Sequence, residues 1–382
     1  MMKVLIAIDS FKGSISSIEG NEAISLGIKD IYPEAEVVTL PLADGGEGTV
    51  DALVQATGGK LVKKEVMGPL KEKVEAIYGI LGDGKTAVIE VAQACGLPLV
   101  PYNQRNPLVT TTYGVGELIS DALEKGCREF VIGLGGSATN DAGVGMLQAL
   151  GFRFLNRNNE EIGLGAQALL DIWKIDLSHV QTKIKECTFR VACDVNNPLY
   201  GPNGATHVFG PQKGANPEMI KQLDLRLKHF ADVVYYELDV DIHNIAGAGA
   251  AGGLGAAFSG FLHTQLQSGI ELVLEIIEME KRMQGVNFVI TGEGKLDAQT
   301  SRGKAPWGVA QLAQKHEIPV LALAGSISEE AEALNKLGVT SYFSIVNAPM
   351  TLKEAMDPKV TYNNLRSTTN QLFRLLQAVQ PE

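Results

Sequence analysis

Charged side chains set among glycines recur along this 382-residue chain. Asp9 opens D-S-F-K-G-S, with Ser10 and Lys12. Asp44 opens D-G-G-E-G, with Gly45, Gly46 and Glu47. Gly292 opens G-E-G-K-L-D, with Glu293, Lys295 and Asp297. Carboxylates bind Mg2+, lysines neutralise phosphate oxygens, and glycines let backbone N–H groups approach an anion. Caps and tight turns would account for any one of these loops, but three together point to phosphoryl transfer. A second set lies further along. G-L-G-G-S-A-T-N-D-A-G (133–143) carries Gly135, Gly136, Ser137 and Asn140, and opens a helix after a strand, as an anion cradle does. Asp194 follows the strand pattern F-R-V-A-C and is suited to hold Mg2+ or to accept a hydroxyl proton. Lys213, between Gly210 and Gly214, is a candidate anion contact. The catalytic candidates are therefore Asp194, Lys12, Asp44 and Lys295, with Asp194, Asp44 and Asp297 as the candidate metal ligands.

Other patterns carry less. Residues 79–86, G-I-L-G-D-G-K-T, match the phosphate-binding P-loop literally. A P-loop needs a helix directly after it, whereas Val88, Ile89 and Val91 continue as a strand. Gly-Asp-Gly therefore reads as a hairpin turn. G-A-G-A-A-G (247–252) has neither a leading apolar strand nor an acidic residue about twenty positions on, so it is not a dinucleotide fingerprint. No G-x-S-x-G elbow exists, the six histidines lack metal-ligand spacing, and Trp173 and Trp307 read as packing residues. The four cysteines form no C-x-x-C pair and read as reduced thiols.

Composition sets the limits. Lys plus Arg number 33 and Asp plus Glu 44, a net charge of −11. That argues against nucleic-acid and anionic-membrane partners, yet leaves room for a small anionic substrate held by a local cluster. The opening M-M-K-V-L-I-A-I-D is too short an apolar run for a signal peptide. The Gly/Ala-rich stretch 246–262 falls short of the roughly 20 residues a span needs. A soluble, cytoplasmic protein is expected. Glycines number 42, above the usual ~7%, and they cluster where backbone must come close to something.

The elements that position these residues show two rhythms. V-L-I-A-I (4–8) is a continuous apolar run, as a strand buried on both faces should be. A capping box, Ser16-x-x-Glu19, starts a helix that Pro33 ends. A strand over 35–40 and a helix from Thr49 to about Thr57 follow. Residues 60–95 read as antiparallel strands. A helix at T-T-Y-G-V-G-E-L-I, a strand over 129–135, a helix at D-A-G-V-G-M-L-Q-A-L-G and a strand over 189–193 come next. Helices are expected from Pro217 to about Val233 and over 268–283. The parallel rhythm then resumes with strands at 287–292, 319–325 and 341–346 and a last helix over 361–379. Two early strands and three late ones make a five-stranded doubly wound parallel α/β sheet domain, 1–60 plus 285–382, with a mixed α/β domain, 61–284, inserted into it.

Taken in order, D-S-F-K-G-S, P-L-A-D-G-G-E-G-T, T-T-Y-G-V-G-E-L-I, G-L-G-G-S-A-T-N-D-A-G, C-D-V-N-N-P-L, G-P-Q-K-G-A, G-A-G-A-A-G-G-L-G-A-A and T-G-E-G-K-L-D resemble the bacterial glycerate kinase family, the type unrelated to P-loop and sugar-kinase folds. The resemblance implies a flavodoxin-like domain with an inserted domain. It also implies ATP- and Mg2+-dependent phosphorylation of D-glycerate, with 2-phosphoglycerate favoured. A kinase of a related hydroxy acid and a non-catalytic anion-binding sensor are the alternatives. Because the candidate loops are divided between the two domains, the reading expects a cleft site completed by domain closure.

Overall fold

The computed structural model describes residues 2–300 and 303–379. Thirteen strands occur among the described residues. In the first half of the chain they are β1 (Lys3–Ile8), β2 (Glu36–Thr39), β3 (Lys60–Met67), β4 (Lys73–Ile80), β5 (Thr86–Glu90), β6 (Glu129–Gly133), β7 (Arg153–Leu155), β8 (Lys174–Asp176) and β9 (Thr188–Ala192). β10 (Leu266–Gln267), β11 (Phe288–Leu296), β12 (Val320–Ile327) and β13 (Ser341–Ser344) complete the set. The chain divides into two compact units. One is Met1–Asp44, Asp51–Ala56 and Ile270–Glu382; the other is Gly45–Val50 and Thr57–Gly269.

The first unit is built on a five-stranded sheet, order β13-β12-β11-β1-β2, parallel throughout. Val4 to Ile8 are fully buried, as their unbroken apolar run requires. The helix Ser17–Lys29 begins at the expected box: the Ser16 hydroxyl accepts from the Glu19 N–H, and the Glu19 carboxylate accepts from the Ser16 N–H. It buries Ala23, Ile24 and Ile28 in a cluster shared with Leu365 and Phe373 of the last helix, Pro358–Val379. The chain leaves β1 for β2 on one side and continues from β11 to β13 on the other. Strand order therefore reverses between β1 and β11, the place where open parallel sheets bind ligands beyond their carboxyl ends.

Two expectations for this unit need correction. The segment G-E-G-K-L does not form a loop: β11 runs on to Leu296, because Glu293, Lys295 and Leu296 pair with Ala324, Ser326 and Ile327 of an equally long β12. The helix expected over 268–283 breaks in two, Gly269–Ile276 and Met279–Arg282, at Glu278, whose φ is +51°.

The second unit contains a six-stranded sheet, order β10-β9-β6-β5-β4-β3, with β7 and β8 as a separate small ladder. The first four of those six are parallel; β4 and β3 are antiparallel. G-I-L-G-D-G-K-T joins β4 to β5 as a hairpin. Its turn is closed by its own aspartate: Asp83 accepts from the N–H groups of Lys85 and Thr86 and from the Thr86 hydroxyl. No helix follows, and the loop has no free N–H nest for a phosphate. The helix from Pro217, capped by Asn216, continues to Leu238, past the expected end. Among the described residues no helix is long and apolar enough to cross a membrane, and all four cysteines are free.

Candidate active site

In the first unit, chemistry gathers where the order of the sheet reverses. Ile8 pairs with Gly292, and the Asp9 N–H donates to the Gly292 carbonyl at 2.9 Å. This register carries Asp9 from the end of β1 to the level of Glu293 on β11. Asp9 is 2% exposed. Its Oδ1 accepts from the Ser10 N–H at 2.6 Å and the Ser10 hydroxyl at 3.2 Å. Burial, reinforced by the Asp44 carboxylate, pushes the Asp9 carboxyl up to about 7, against the pull of Lys12 and the Ser10 N–H. Lys12 Nζ lies 3.9 Å from Asp44 Oδ2.

Glu293 is also buried and also raised by its burial, although the Thr300 hydroxyl donates to Oε1 and Lys304 Nζ stands 3.7 Å from Oε2. Lys295, two residues along the strand, is exposed and pairs with Asp297 at 3.3 Å. The Asp297 carboxylate is already engaged: it takes the Gln299 N–H at 2.8 Å, and that bond with Lys295 holds it below the usual range despite its burial. Asp9, Lys12, Asp44 and Glu293 thus form one electrostatic group, while Lys295 and Asp297 form a pair of their own.

The second unit positions its candidates by close backbone contact. Gly45 has φ +89°, and a Cβ there would lie 2.5 Å from that of Ala192, the last residue of β9. The Val50 N–H donates to the buried Glu90 carboxylate at the end of β5, 2.8 Å away, which ties down the segment holding Gly46 and Glu47. Asp194, exposed just past β9, accepts the Gly269 N–H at 2.9 Å.

The glycine run 247–255 fits between two loops. The Gly249 N–H donates to the Asn197 carbonyl on the Asp194 side, and the Ala142 N–H donates to the Gly252 carbonyl on the Asn140 side. Gly252 has φ +69°, and a Cβ there would overlap the Thr139 carbonyl oxygen. The glycines of this run therefore pack closely against the loops that carry Asn140 and Asp194.

The anion cradle expected at the helix after the 133–143 loop is filled from within. That helix, Val144–Ala149, has six residues. Asp141 Oδ1 accepts the Gly143 N–H, and Oδ2 accepts the Thr112 N–H at 2.8 Å and hydroxyl at 3.0 Å. Lys213 does not face solvent as an anion contact would. Its ammonium is buried and donates to Ser137 Oγ at 3.0 Å and to the Thr139 carbonyl at 2.6 Å. Asn140 Nδ2 donates to the Thr206 hydroxyl, whereas its buried Oδ1 finds no partner among the described residues. Gly135 and Gly136 are exposed at the mouth of this loop.

Four residues of these groups escape a reading of sequence pattern: Asp141, Thr300, Lys304 and Glu90. Asp141 could have been found as a polar residue just ahead of a helix start, and Lys304 as the residue before the Ala305-Pro306 helix start. Thr300 and Glu90 carry no local signal. Among the described residues no group of three or more His, Cys, Asp or Glu is gathered as a metal cage.

A family model described as the glycerate kinase family matches residues 4–377. The chain is 49% identical over 361 residues to the glycerate kinase of Bacillus subtilis (strain 168), with 94% of each chain covered. It is 49% identical over 364 residues to the glycerate 2-kinase of Escherichia coli (strain K12), with 95% of each covered. A crystal structure named for glycerate kinase 2 of Salmonella typhimurium LT2 superposes with a TM-score of 0.90 at 45% identity, covering 99% of both chains.

Proposed function

The chain belongs to the glycerate kinase family and is a kinase, and on that premise we propose that it transfers the γ-phosphoryl group of ATP to the 2-hydroxyl of D-glycerate. The observation that carries this reading is the family match from residue 4 to residue 377. The name of the Escherichia coli relative favours the 2-position. The non-catalytic alternative gives way to it. A cytoplasmic location goes with the reading, supported by the free cysteines and by ATP as substrate.

The roles follow from the chemistry of each group. Asp194 is exposed and held by the Gly269 N–H, which suits it to accept the hydroxyl proton as the glycerate oxygen bonds to the γ-phosphorus. The bond from the γ-phosphorus to its bridging oxygen breaks, and ADP leaves. Lys12 and Lys295 neutralise phosphate oxygens. Ser10, Gly45, Gly46, Glu47 and the 135–140 loop contribute donors and close backbone approach.

Mg2+ is commonly held by one or two carboxylates together with phosphate oxygens and water, so a three-acid cage is not required. Asp44 beside Asp9 fits that need: two carboxylates stand together there, and after burial the Asp44 charge is the next cause that raises the Asp9 carboxyl. Asp194 also fits, as an exposed carboxylate just past β9. Asp297 fits less well, because it is bound to Lys295 and Gln299. When bound, the ion would neutralise phosphate charge and orient the phosphates.

Incubation with ATP, Mg2+ and D-glycerate, lactate, tartronate or glucose, followed by phosphorus NMR of the product, tests the proposal. Signal from 2-phosphoglycerate alone is expected. Turnover of another acceptor at the higher kcat/KM would instead make this a kinase of a related hydroxy acid.

A further inference from the structure

The ammonium of Lys213 has three N–H donors and no lone pair, so the direction of its bond to Ser137 is fixed. The lysine donates, Ser137 Oγ accepts, and the serine proton must point elsewhere. Ser137 is 4% exposed, and among the described residues its hydroxyl donates to nothing. A buried donor without an acceptor is unfavourable, and a ligand that brings an acceptor removes that penalty. Burial also pulls the Lys213 ammonium down to about 8, although the neighbouring Cys95 and Asp141 act to raise it. A cation directly behind a hydroxyl strengthens that hydroxyl as a donor in a region of low dielectric. Gly135 and Gly136, both exposed, add no side chains of their own to the approach to this loop.

We propose that Lys213 is a positioning residue: it sets the Ser137 hydroxyl as a donor to an anionic oxygen of the substrates without touching the ligand itself. The class of acceptor is a carboxylate or phosphate oxygen, from D-glycerate or from ATP. The inference rests on the kinase reading above, so binding and turnover are measured separately.

Calorimetric titration of D-glycerate, and separately of ATP, into the full chain tests it, with Ser137→Ala, Lys213→Met and the double variant beside the wild type. Ser137→Ala and Lys213→Met should each weaken the same one of the two ligands by about tenfold or more. The double variant should lose no more than the larger single loss, since one residue acts through the other. The ligand affected identifies the source of the oxygen. Unchanged affinity for both ligands in Ser137→Ala, losses that multiply in the double variant, or a wild type that binds neither ligand would each overturn the proposal. If Lys213→Met does not reach the wild-type unfolding temperature, Lys213→Gln, which keeps an N–H donor but no charge, replaces it with the same expectation. Wild-type binding without turnover would count against the kinase reading alone.

Discussion

The two groups of polar residues are organised by different forces. In the first unit, acids and lysines compensate one another: Asp9, Asp44 and Glu293 stand against Lys12 and Lys304, and the fold supplies little beyond strand register. In the second unit the charged groups are held singly, by backbone and hydroxyl partners, and steric fit dominates. Glycines lock the loops of Asn140 and Asp194, and one buried lysine bonds to a hydroxyl and a carbonyl. A charge-built group tolerates changes of shape but responds to pH. A contact-built group responds to a single methyl.

The largest effect expected belongs to Asp194. Asp194→Asn should lower kcat by about a hundredfold or more, in line with loss of a general base, while the unfolding temperature stays near wild type. Retention of most activity at saturating Mg2+ would pass the lead to Asp44.

The steric half of the contrast is sharpened by two glycine substitutions. Gly252→Ala should cost about 2 kcal/mol or more, because it combines positive φ with an overlap on the Thr139 carbonyl oxygen. Gly294→Ala, in β11, should cost less than about 1 kcal/mol: its Cβ would meet Lys12 N at an ordinary 3.7 Å. Equal losses in chemical denaturation would erase the distinction.

The electrostatic half predicts a dependence on pH. The folded chain holds the Asp9 proton up to about pH 7, whereas an ordinary aspartate releases it near 3.8. The associated stability is complete below about pH 4 and is lost as pH rises through 7. Asp9→Asn should therefore gain about 2–4 °C in Tm relative to wild type between pH 5 and pH 8. A gap that does not change with pH would remove the reason for calling this group charge-built.

The smallest effect is expected at the hairpin. Lys85→Ala should leave kcat within a few fold, whereas loss of a phosphate-binding lysine costs orders of magnitude. A hundredfold loss in folded protein would mean that the turn takes part in chemistry after all.

The same contrast explains what could be read from sequence. The five parallel strands of the first unit are legible because Val4–Ile8 and Val320–Ala324 are apolar runs of strand length. The extension of β11 is not, since Glu293 and Lys295 interrupt any apolar pattern and only pairing with β12 reveals it. β10, two residues long, is held by its partner β9 and carries no pattern of its own. Lys213 lies between glycines, which suggests an exposed loop. Its inward turn depends on acceptors 74 and 76 positions away, Thr139 and Ser137. Charge and glycine content single out candidate loops, whereas how their side chains are held depends on contacts across the fold.

β1 is an interior strand of its sheet, between β11 and the edge strand β2, yet its two neighbours come from opposite parts of the chain. β2 follows within 30 residues or so, whereas Lys3 meets Asn287 across 284 positions. During synthesis at about 5–20 residues per second, the nascent chain therefore exposes one edge of a strand that is apolar from Val4 to Ile8 until β11 leaves the ribosome. An open, apolar edge of that kind invites pairing with other chains. Ribosome-bound chains truncated before Phe288 should accordingly bind chaperones or self-associate more than chains extended past Leu296, with the step falling where β1 gains its second neighbour.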